Sequence, residues 1–175
     1  MILIEPTVEF DKQIREYRKE FLDCGDLLEG ASRLKQFDVP QEWIEYLNKL
    51  KNPITAPQGR VPLTQYMLVR EEDQKIIGMF NIRHHLNGYL ERYGGHIGFS
   101  IAPSERHKGY ATLLLKLALS KCRELKINKV LVTCNNDNVG CRRVILKSGG
   151  IYESLVYDSG EDEYVERYWI DFSEG

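Results

Sequence analysis

The chain has 175 residues, 42% of them hydrophobic, and its 24 basic and 26 acidic residues give a formal net charge of −2. This length is typical of one domain with one hydrophobic core, so we expect a single domain over residues 1–175. The balanced charge argues against a nucleic-acid-binding protein, which is usually strongly basic. No apolar run approaches the length of a membrane span, so we expect no membrane partner.

The cysteines and the N-terminal residues both favour a cytoplasmic protein. The four cysteines form no C-x-x-C pair and stand at Cys24, Cys122, Cys134 and Cys141. This spacing favours free thiols over a zinc site or a disulfide framework, and we expect no bound metal. Residues 1–6 lack a basic region followed by a long apolar stretch, so no secretory signal is visible.

The N-terminal part of the chain predicts two helices and a loop. Apolar residues recur at near-helical spacing from Phe10 to Leu28, which indicates a long first helix. A second, short helix is predicted to begin at Pro40 and to end before Asn52. The segment 52–62 is rich in proline and glycine and is predicted to be a loop.

The middle of the chain predicts strands. Residues 66–69 and 76–82 form two predicted strands, and the polar residues 71–74 make a hairpin turn between them. Asn87-Gly88 marks a further turn. The strand that follows is predicted over residues 96–101.

The C-terminal part alternates helices and strands. The strongest helical pattern covers residues 113–124, and its inward side is predicted to carry Leu113, Leu114, Leu117, Ala118 and Leu125. A buried strand over 129–134 precedes a helix over 139–147, and two last strands within 151–157 and 164–170 flank an acidic loop. Hairpin-paired strands followed by alternating strands and helices predict an α/β fold with a mixed, mostly antiparallel, twisted sheet flanked by helices.

The segment Arg106-His107-Lys108-Gly109-Tyr110-Ala111 carries the clearest chemical signal, because it lies between a predicted strand and a predicted helix. A glycine-containing turn at a helix start leaves backbone N–H groups unpaired, and the helix dipole adds positive potential there. Arg106 and Lys108 add formal charge beside the turn. The segment therefore predicts a site for a ligand that carries phosphate. A nucleotide is disfavoured, because residues 106–112 lack the G-K-[ST] ending of a nucleotide-binding loop.

The chain after about residue 60 resembles the GNAT superfamily of N-acetyltransferases. Residues 106–111 fit the family signature Q/R-x-x-G-x-G/A, and Asn138 stands where the family has a cofactor-contacting Asn after the next strand. Lys147-Ser148-Gly149-Gly150 looks like the family's K-x-G-F ending, with Gly150 in place of Phe. The resemblance implies one acetyltransferase domain with the GNAT-like fold, in which two neighbouring strands of the central sheet splay apart.

The resemblance also implies an activity and a set of cofactor-binding residues. The expected enzyme moves an acetyl group from acetyl-CoA, its co-substrate, directly to a primary amine of a small molecule or peptide. The alternative is a non-catalytic CoA-binding module. The turn's backbone N–H groups are expected to hold the pyrophosphate, and the preceding strand to contact the pantetheine arm. The residues concerned are Phe99, Ser100, Ile101, Arg106, His107, Lys108, Gly109, Tyr110, Ala111, Thr112 and Asn138.

The acceptor amine must lose its proton, which costs roughly 4.6 kcal/mol at pH 7 for a lysine-like amine and about 1.4 kcal/mol for an α-amine. His96, at the start of the central strand, is the candidate general base, since relatives often carry a carboxylate there. A hydrogen-bonded structural histidine is the alternative for His96. Glu91 is a weaker choice of base, and His84 or His85 is weaker still.

This chain lacks the family's usual general acid. Many members carry a Tyr seven residues after the Asn, where this chain has Ile145. Cys141 and Tyr152 are conceivable replacements, or the thiolate leaves unprotonated. A covalent route through Cys141 is disfavoured, because no His accompanies it as an activating base.

The acceptor is not specified by the sequence. The acidic residues within 158–163 could attract a cationic amine or could form a solvated loop. An exposed strand edge would allow a homodimer. Aromatic residues of the N-terminal helices and the last hairpin could line an acceptor slot or form core, and they are Tyr17, Trp43, Tyr46, Tyr157, Tyr164, Tyr168 and Trp169.

Overall fold

A computed structural model describes residues 1–172. Over this range the chain forms four α-helices and seven β-strands, joined by short helical turns. The helices are α1 (Asp11–Cys24), α2 (Pro40–Lys51), α3 (Tyr110–Glu124) and α4 (Val139–Lys147). The strands are β1 (Ile2–Ile4), β2 (Leu63–Arg70), β3 (Lys75–Arg83), β4 (Ile97–Ile101), β5 (Lys129–Asn135), β6 (Ile151–Asp158) and β7 (Glu163–Asp171).

The strands form two antiparallel sheets. The first has the order β1-β2-β3-β4 and the second the order β5-β7-β6. The β2–β3 pair is the predicted hairpin, with Tyr66 opposite Phe80. In the second sheet β7 pairs with both of its neighbours, and Tyr168 lies opposite Val132 and Tyr152. The boundary between the two sheets falls between β4 and β5, so a gap opens in the middle of the molecule.

Helices cover both faces of the first sheet because its strands are apolar on both sides. Met67 and Val69 of β2 pack with α1 and α2, whereas Leu68 between them packs with α3, as the alternation of a strand requires. Trp43 of α2 is fully buried, and its indole N–H donates to Ala31 O at 3.1 Å. These two layers hold β4 and the turn before α3 in fixed positions.

The predicted α/β architecture is confirmed, with local corrections. The predicted first helix ends at Cys24, because Gly25 adopts a left-handed conformation with φ 73°, so Leu28 lies outside it. Two leucines predicted to face inward, Leu113 and Leu125, are 37% and 39% exposed. The short strand β1 was not predicted, since three residues are too few to show a pattern.

Neither a membrane-spanning helix nor a metal-binding cluster is found within residues 1–172. None of the helices within residues 1–172 is long and apolar enough to span a bilayer. The same residues contain no group of three or more His, Cys, Asp or Glu side chains suited to hold a metal ion.

Candidate active site

His96 lies at the point where the two sheets separate. Its backbone N–H donates to Leu131 O at 2.8 Å, and the Leu131 N–H donates to His96 Nδ1 at 2.9 Å. The chain approaches closely here, since a Cβ on Gly95 would lie 2.6 Å from Leu131 O. Within residues 1–172 no backbone hydrogen bond joins β4 to β5 beyond this point. His96 therefore closes the narrow end of the gap.

The backbone of β4 presents polar groups to the gap. In an antiparallel pair, residues alternate between those bonded to the partner strand and those whose N–H and C=O point away from it. The hydrogen bond from Ala102 N–H to Ile77 O sets this alternation, so Ser100 pairs with β3. Phe99 and Ile101 consequently direct their backbone groups toward the gap.

The turn before α3 is open and rich in unpaired donors. Gly109 is the N-cap of α3 and has φ 82°, and His107 also has a positive φ of 62°. Within residues 1–172, no hydrogen-bond acceptor is found for the backbone N–H groups of residues 107–112. A Cβ on Gly109 would meet no atom within 4 Å. The turn is thus an uncovered cradle of N–H groups at the positive end of a helix dipole, which fits an anion.

Two carboxylates hold the basic side chains of this turn. Glu105, only 4% exposed, accepts from Arg70 at 3.1 Å and from Lys108 at 3.0 Å. The hydrogen bonds from Arg70, then that from Lys108, lower the pKa of Glu105 to about 2. Arg106 pairs with Asp26 at 2.5 Å. Both basic side chains are therefore oriented by ion pairs, and the backbone N–H groups carry the unsatisfied donor capacity.

Two other predicted cofactor-binding residues use their side chains within the protein. The Asn138 side chain caps α4 by accepting from Cys141 N–H at 3.0 Å. The Ser100 hydroxyl lies 3.0 Å from the hydroxyl of the buried Tyr17 on α1. Asn138 is exposed at the start of α4, with its Nδ2 outside these contacts, so contact with a ligand there is sterically open.

The surroundings of His96 bear on its predicted role as a base. His96 is 8% exposed, and burial, followed by the charge of Arg83, lowers its pKa to about 4. Because Nδ1 accepts from a backbone N–H, the neutral ring carries its hydrogen on Nε2 and has no free lone pair. This geometry favours the structural alternative for His96.

The weaker base candidates lie on the segment around the end of β3. His84 Nε2 and Thr64 Oγ1 are 2.8 Å apart, and burial lowers the pKa of His84. His85 and Glu91 are exposed. None of these three side chains has a hydrogen bond to β4 or β5 within the described part of the chain.

Ile145, at the position of the family's usual Tyr, is fully buried in the core. A Cβ on Gly150 would lie 2.5 Å from Ile145 Cγ2, so the Gly that replaces the usual Phe makes room for this side chain. Hydrogen bonding to Cys134, and then burial, raise the pKa of Cys141, which disfavours a thiolate nucleophile. Tyr152 is 53% exposed.

A cleft of about 340 Å³ is lined by the segment 28–33, α2, residues 59–61, β2, β3 and residues 87–90. The segment 28–33 crosses β4 closely, since a Cβ on Gly30 would lie 2.4 Å from Gly98 O. Gln65 Nε2 donates to Gly30 O at 2.7 Å, and Ser32 Oγ donates to Gln65 Oε1 at 2.7 Å. Hydrogen bonds among Gln65, Gly30 and Ser32 therefore fix the polar groups at the base of this cleft, beside the gap.

The aromatic residues considered for the acceptor site divide between core and surface. Tyr17, Trp43 and Tyr168 are buried in the hydrophobic core. Tyr46 lines the cleft. On the last hairpin Tyr157 and Tyr164 are 44% and 50% exposed, and Trp169 is partly buried.

The acidic loop between β6 and β7 is tied by hydrogen bonds. Asp158 is buried and accepts from the Tyr89 hydroxyl at 3.0 Å and from Gly160 N–H at 2.9 Å. Asn135 donates to Glu163 at 2.5 Å. Burial and neighbouring carboxylates raise the pKa of Glu163. The loop is a structured acidic surface rather than a fully solvated one.

An open anion cradle beside a split sheet is suited to an extended ligand that carries phosphate. The sequence model of the family described as Acetyltransferase (GNAT) domain matches residues 30–151. The chain belongs to this family. A comparison with curated protein sequences gives no match.

Solved structures share this fold at low sequence identity. The ribosomal-protein-S5-alanine acetyltransferase from Vibrio fischeri has a TM-score of 0.73 and 15% identity, over 98% of this chain and 93% of that one. RimJ from Mycobacterium smegmatis, in complex with CoA-disulfide, has a TM-score of 0.71 and 19% identity, over 98% and 82%. A dodecameric spermidine N-acetyltransferase from Vibrio cholerae has a TM-score of 0.66 and 17% identity, over 99% and 94%.

Proposed function

We propose that this protein is an acetyl-CoA-dependent N-acetyltransferase, acting as one domain over residues 1–175, that transfers acetyl directly to a primary amine of a small molecule or peptide. The observation that carries the proposal is the open turn before α3, where the N–H groups of residues 107–112 have no partner within residues 1–172. Family membership supports it. The CoA-disulfide bound to RimJ is further support for a CoA ligand.

The turn would hold the pyrophosphate through backbone donors. Residues 107–112 offer N–H groups at the start of α3, and Gly109 keeps the approach free of a side chain. Arg106 and Lys108 flank the cradle while paired with Asp26 and Glu105. The Arg106–Asp26 pair is exposed, so Arg106 can reorient toward phosphate at little cost, whereas the buried Glu105 holds Lys108 beside the turn.

The gap between the sheets would hold the pantetheine arm. Phe99 and Ile101 offer backbone N–H and C=O groups along the free edge of β4. When bound, acetyl-CoA supplies the activated thioester. A backbone N–H of this edge can polarise the thioester carbonyl, in the way that donors of an oxyanion hole act.

Deprotonation of the amine limits the choice of acceptor. His96 is the base that the sequence pattern suggests, but its Nδ1 is engaged with Leu131. An α-amine with a pKa near 8 needs only about 1.4 kcal/mol to lose its proton at pH 7, so it can react without a strong base. We therefore favour α-amines over lysine-like amines as acceptors.

The test combines binding and turnover. Calorimetric titration with acetyl-CoA should give saturable, magnesium-independent binding, and ATP should not bind. Release of free CoA should then depend on an added amine. Tight binding of acetyl-CoA with no amine-dependent release would instead support the non-catalytic CoA-binding module.

The cysteines and one exposed strand edge bear on the location and the oligomeric state of the protein. We propose a cytoplasmic location from the free thiols. A homodimer could form through β6, the edge strand of the second sheet, where Ile151 is 72% exposed. Light scattering at several protein concentrations would test this.

A further inference from the structure

Arg83 of β3 lines the cleft and lacks a counter-ion. Its Nη1 donates to the backbone oxygens of Gly94 at 2.9 Å and Gly95 at 3.1 Å. Among residues 1–172, no carboxylate forms an ion pair with this guanidinium. The side chain is partly buried, and burial lowers the pKa of Arg83. A charge removed from water without an opposite charge is costly, unless a ligand supplies the missing partner.

The rest of the cleft adds to this positive charge. Arg33 and Arg60 also line it and are exposed, whereas Glu29 is the single carboxylate among the described lining residues. Glu29 is exposed and attracts Arg83 only at a distance. With three arginines and one carboxylate, the cleft favours an anion.

A second unsatisfied group lies two residues away on the same strand. Asn81 is 3% exposed and lines the cleft. Its Nδ2 donates to Ser32 Oγ at 3.1 Å, but its Oδ1 has no hydrogen-bond partner among the described residues. Asn81 and Arg83 share a face of β3, about 7 Å apart along the strand. A buried oxygen without a donor indicates that an N–H group is missing from the unliganded site.

The two groups differ in their distance from the free edge of β4. Asn81 pairs with Gly98, one residue before Phe99, whereas Arg83 lies opposite His96 at the closed end of the gap. An amine near Asn81 would therefore be closer to the proposed thioester position than an anion near Arg83.

We propose that the cleft binds an amine that carries a carboxylate within a few bonds, as amino acids do, with the carboxylate on Arg83 and Arg60 and the amine directed to Asn81 Oδ1. Arg suits this role, because its guanidinium binds a carboxylate through two parallel hydrogen bonds. This inference rests on the proposed function and names the acceptor class for it.

The acidic loop is the competing determinant, since it would favour a polycation. Asp158, Asp162 and Glu163 of this loop accept hydrogen bonds from neutral donors within the protein. None of the loop carboxylates lines the cleft, whereas Arg83, Arg33 and Arg60 do. The charge inside the cleft is therefore mainly positive, which favours an anionic acceptor.

The experiment compares matched acceptors. Release of CoA is measured with alanine, alaninamide, ethylamine and spermidine at fixed acetyl-CoA, and the series is repeated with other amino acids and their amides. We expect kcat/KM per neutral amine, the form that corrects for the more basic amine of each acid, to be about 10-fold to 100-fold higher for the acid than for its amide, as one charge-assisted hydrogen-bond pair allows. Equal or better turnover of the amides, of ethylamine or of spermidine would overturn the inference while leaving the proposed function standing.

Substitutions of the cleft arginines test whether the cleft causes the preference for acids over amides. Arg83→Gln should abolish the preference for acids, mainly through KM, with the Kd of acetyl-CoA unchanged. Because Arg83 also ties Gly94 and Gly95, Arg60→Glu serves as a second variant: it should invert the preference toward spermidine. Arg123→Gln, at the far end of α3, is the matched control and should leave the preference unchanged. An acid preference that survives both cleft variants would overturn the assignment.

Binding measurements distinguish a failure of the proposed function from a failure of this acceptor site. If no amine releases CoA, the proposed function fails, and titration with N-acetylalanine and N-acetylalaninamide tests the cleft by itself. Stronger binding of the acid, lost in Arg83→Gln, supports the anion site. Equal binding, or no binding of either compound, overturns it.

Discussion

His96 and Leu131 exchange two hydrogen bonds at the point where the sheets part: the His96 N–H donates to Leu131 O, and the Leu131 N–H donates to His96 Nδ1. The backbone of His96 makes one hydrogen bond to the start of β5, and its imidazole ring accepts the second. Beyond it, β4 and β5 belong to separate sheets. The position and width of the proposed cofactor gap consequently depend on this contact.

Replacement of His96 should affect stability more than chemistry. His96→Ala leaves the Leu131 N–H without its acceptor, and we expect a loss of about 1–3 kcal/mol in the free energy of unfolding at pH 7. Urea denaturation measures the loss. His85→Gln, at an exposed neighbouring histidine, is the control. If His96→Ala instead keeps full stability and flattens the acid limb of the rate profile, His96 is the general base.

The same ring predicts a pH dependence of stability. The folded pKa of His96 is about 4, below its ordinary value of 6.5, so between these values the unfolded chain binds more protons. Stability should therefore fall as pH decreases from 6.5 toward 4. Comparison of wild type and His96→Gln at pH 6.5 and 5.5, above the range where most carboxylates titrate, should show a smaller drop in the variant. Equal drops would contradict the buried, neutral ring.

Gly109 should be required for acetyl-CoA binding but not for folding. In Gly109→Val the side chain projects into the cradle, and we expect the Kd of acetyl-CoA to rise more than 10-fold, with a folding cost of about 1–2 kcal/mol from the left-handed backbone. Gly149→Val is a matched control, because Gly149 also has a positive φ and open space around its Cα. Calorimetry measures the Kd of acetyl-CoA for both variants. Unchanged affinity in Gly109→Val would reject the turn as the acetyl-CoA site.

Restoring the family's usual tyrosine should not improve this protein. Ile145 is fully buried, and Gly150 packs directly against it. Ile145→Tyr should therefore lower the free energy of unfolding by about 1–3 kcal/mol through overpacking. Leu146→Tyr, at a side chain that is 50% exposed, should cost much less. A stable and faster Ile145→Tyr enzyme would show that the position still opens toward the thioester.

The strongly patterned elements were predictable from sequence, because periodicity and capping residues mark them locally. α4 spans the predicted residues, with Asn138 as its cap and Gly149 after its end. The turn at Gly109 was recognisable because strand, glycine and helix are consecutive in the chain. Both features depend on neighbours within a few residues.

The remaining features arise from contacts that are distant in sequence. The lone pair of His96 is engaged by Leu131, 35 residues away, and no local pattern signals this bond. Arg83 and Asn81 appear as ordinary strand residues, and only the crossing segment around Gly30 turns them into the floor of a cleft. The hydrogen bond at the His96 ring and the arginine-lined cleft could therefore be recognised only in the three-dimensional structure.

Glu105 should couple the stability of the turn to pH. It is 4% exposed and joins Arg70 of β2 to Lys108 of the turn. Glu105→Gln should lower the free energy of unfolding by about 2–4 kcal/mol, since it leaves Lys108 without its carboxylate and Arg70 with only the exposed Asp73. The folded pKa of Glu105 is about 2, below its ordinary 4.5, so its contribution is present above pH 4.5 and is lost as pH falls toward 2.

Urea denaturation from pH 7 to pH 3 should therefore show a steeper acid loss of stability in wild type than in Glu105→Gln. Asp73→Asn, which removes the exposed partner of Arg70, is the control and should have a much smaller effect at pH 7. Parallel acid profiles for wild type and Glu105→Gln would mean that Lys108 is held in the turn by something other than this carboxylate.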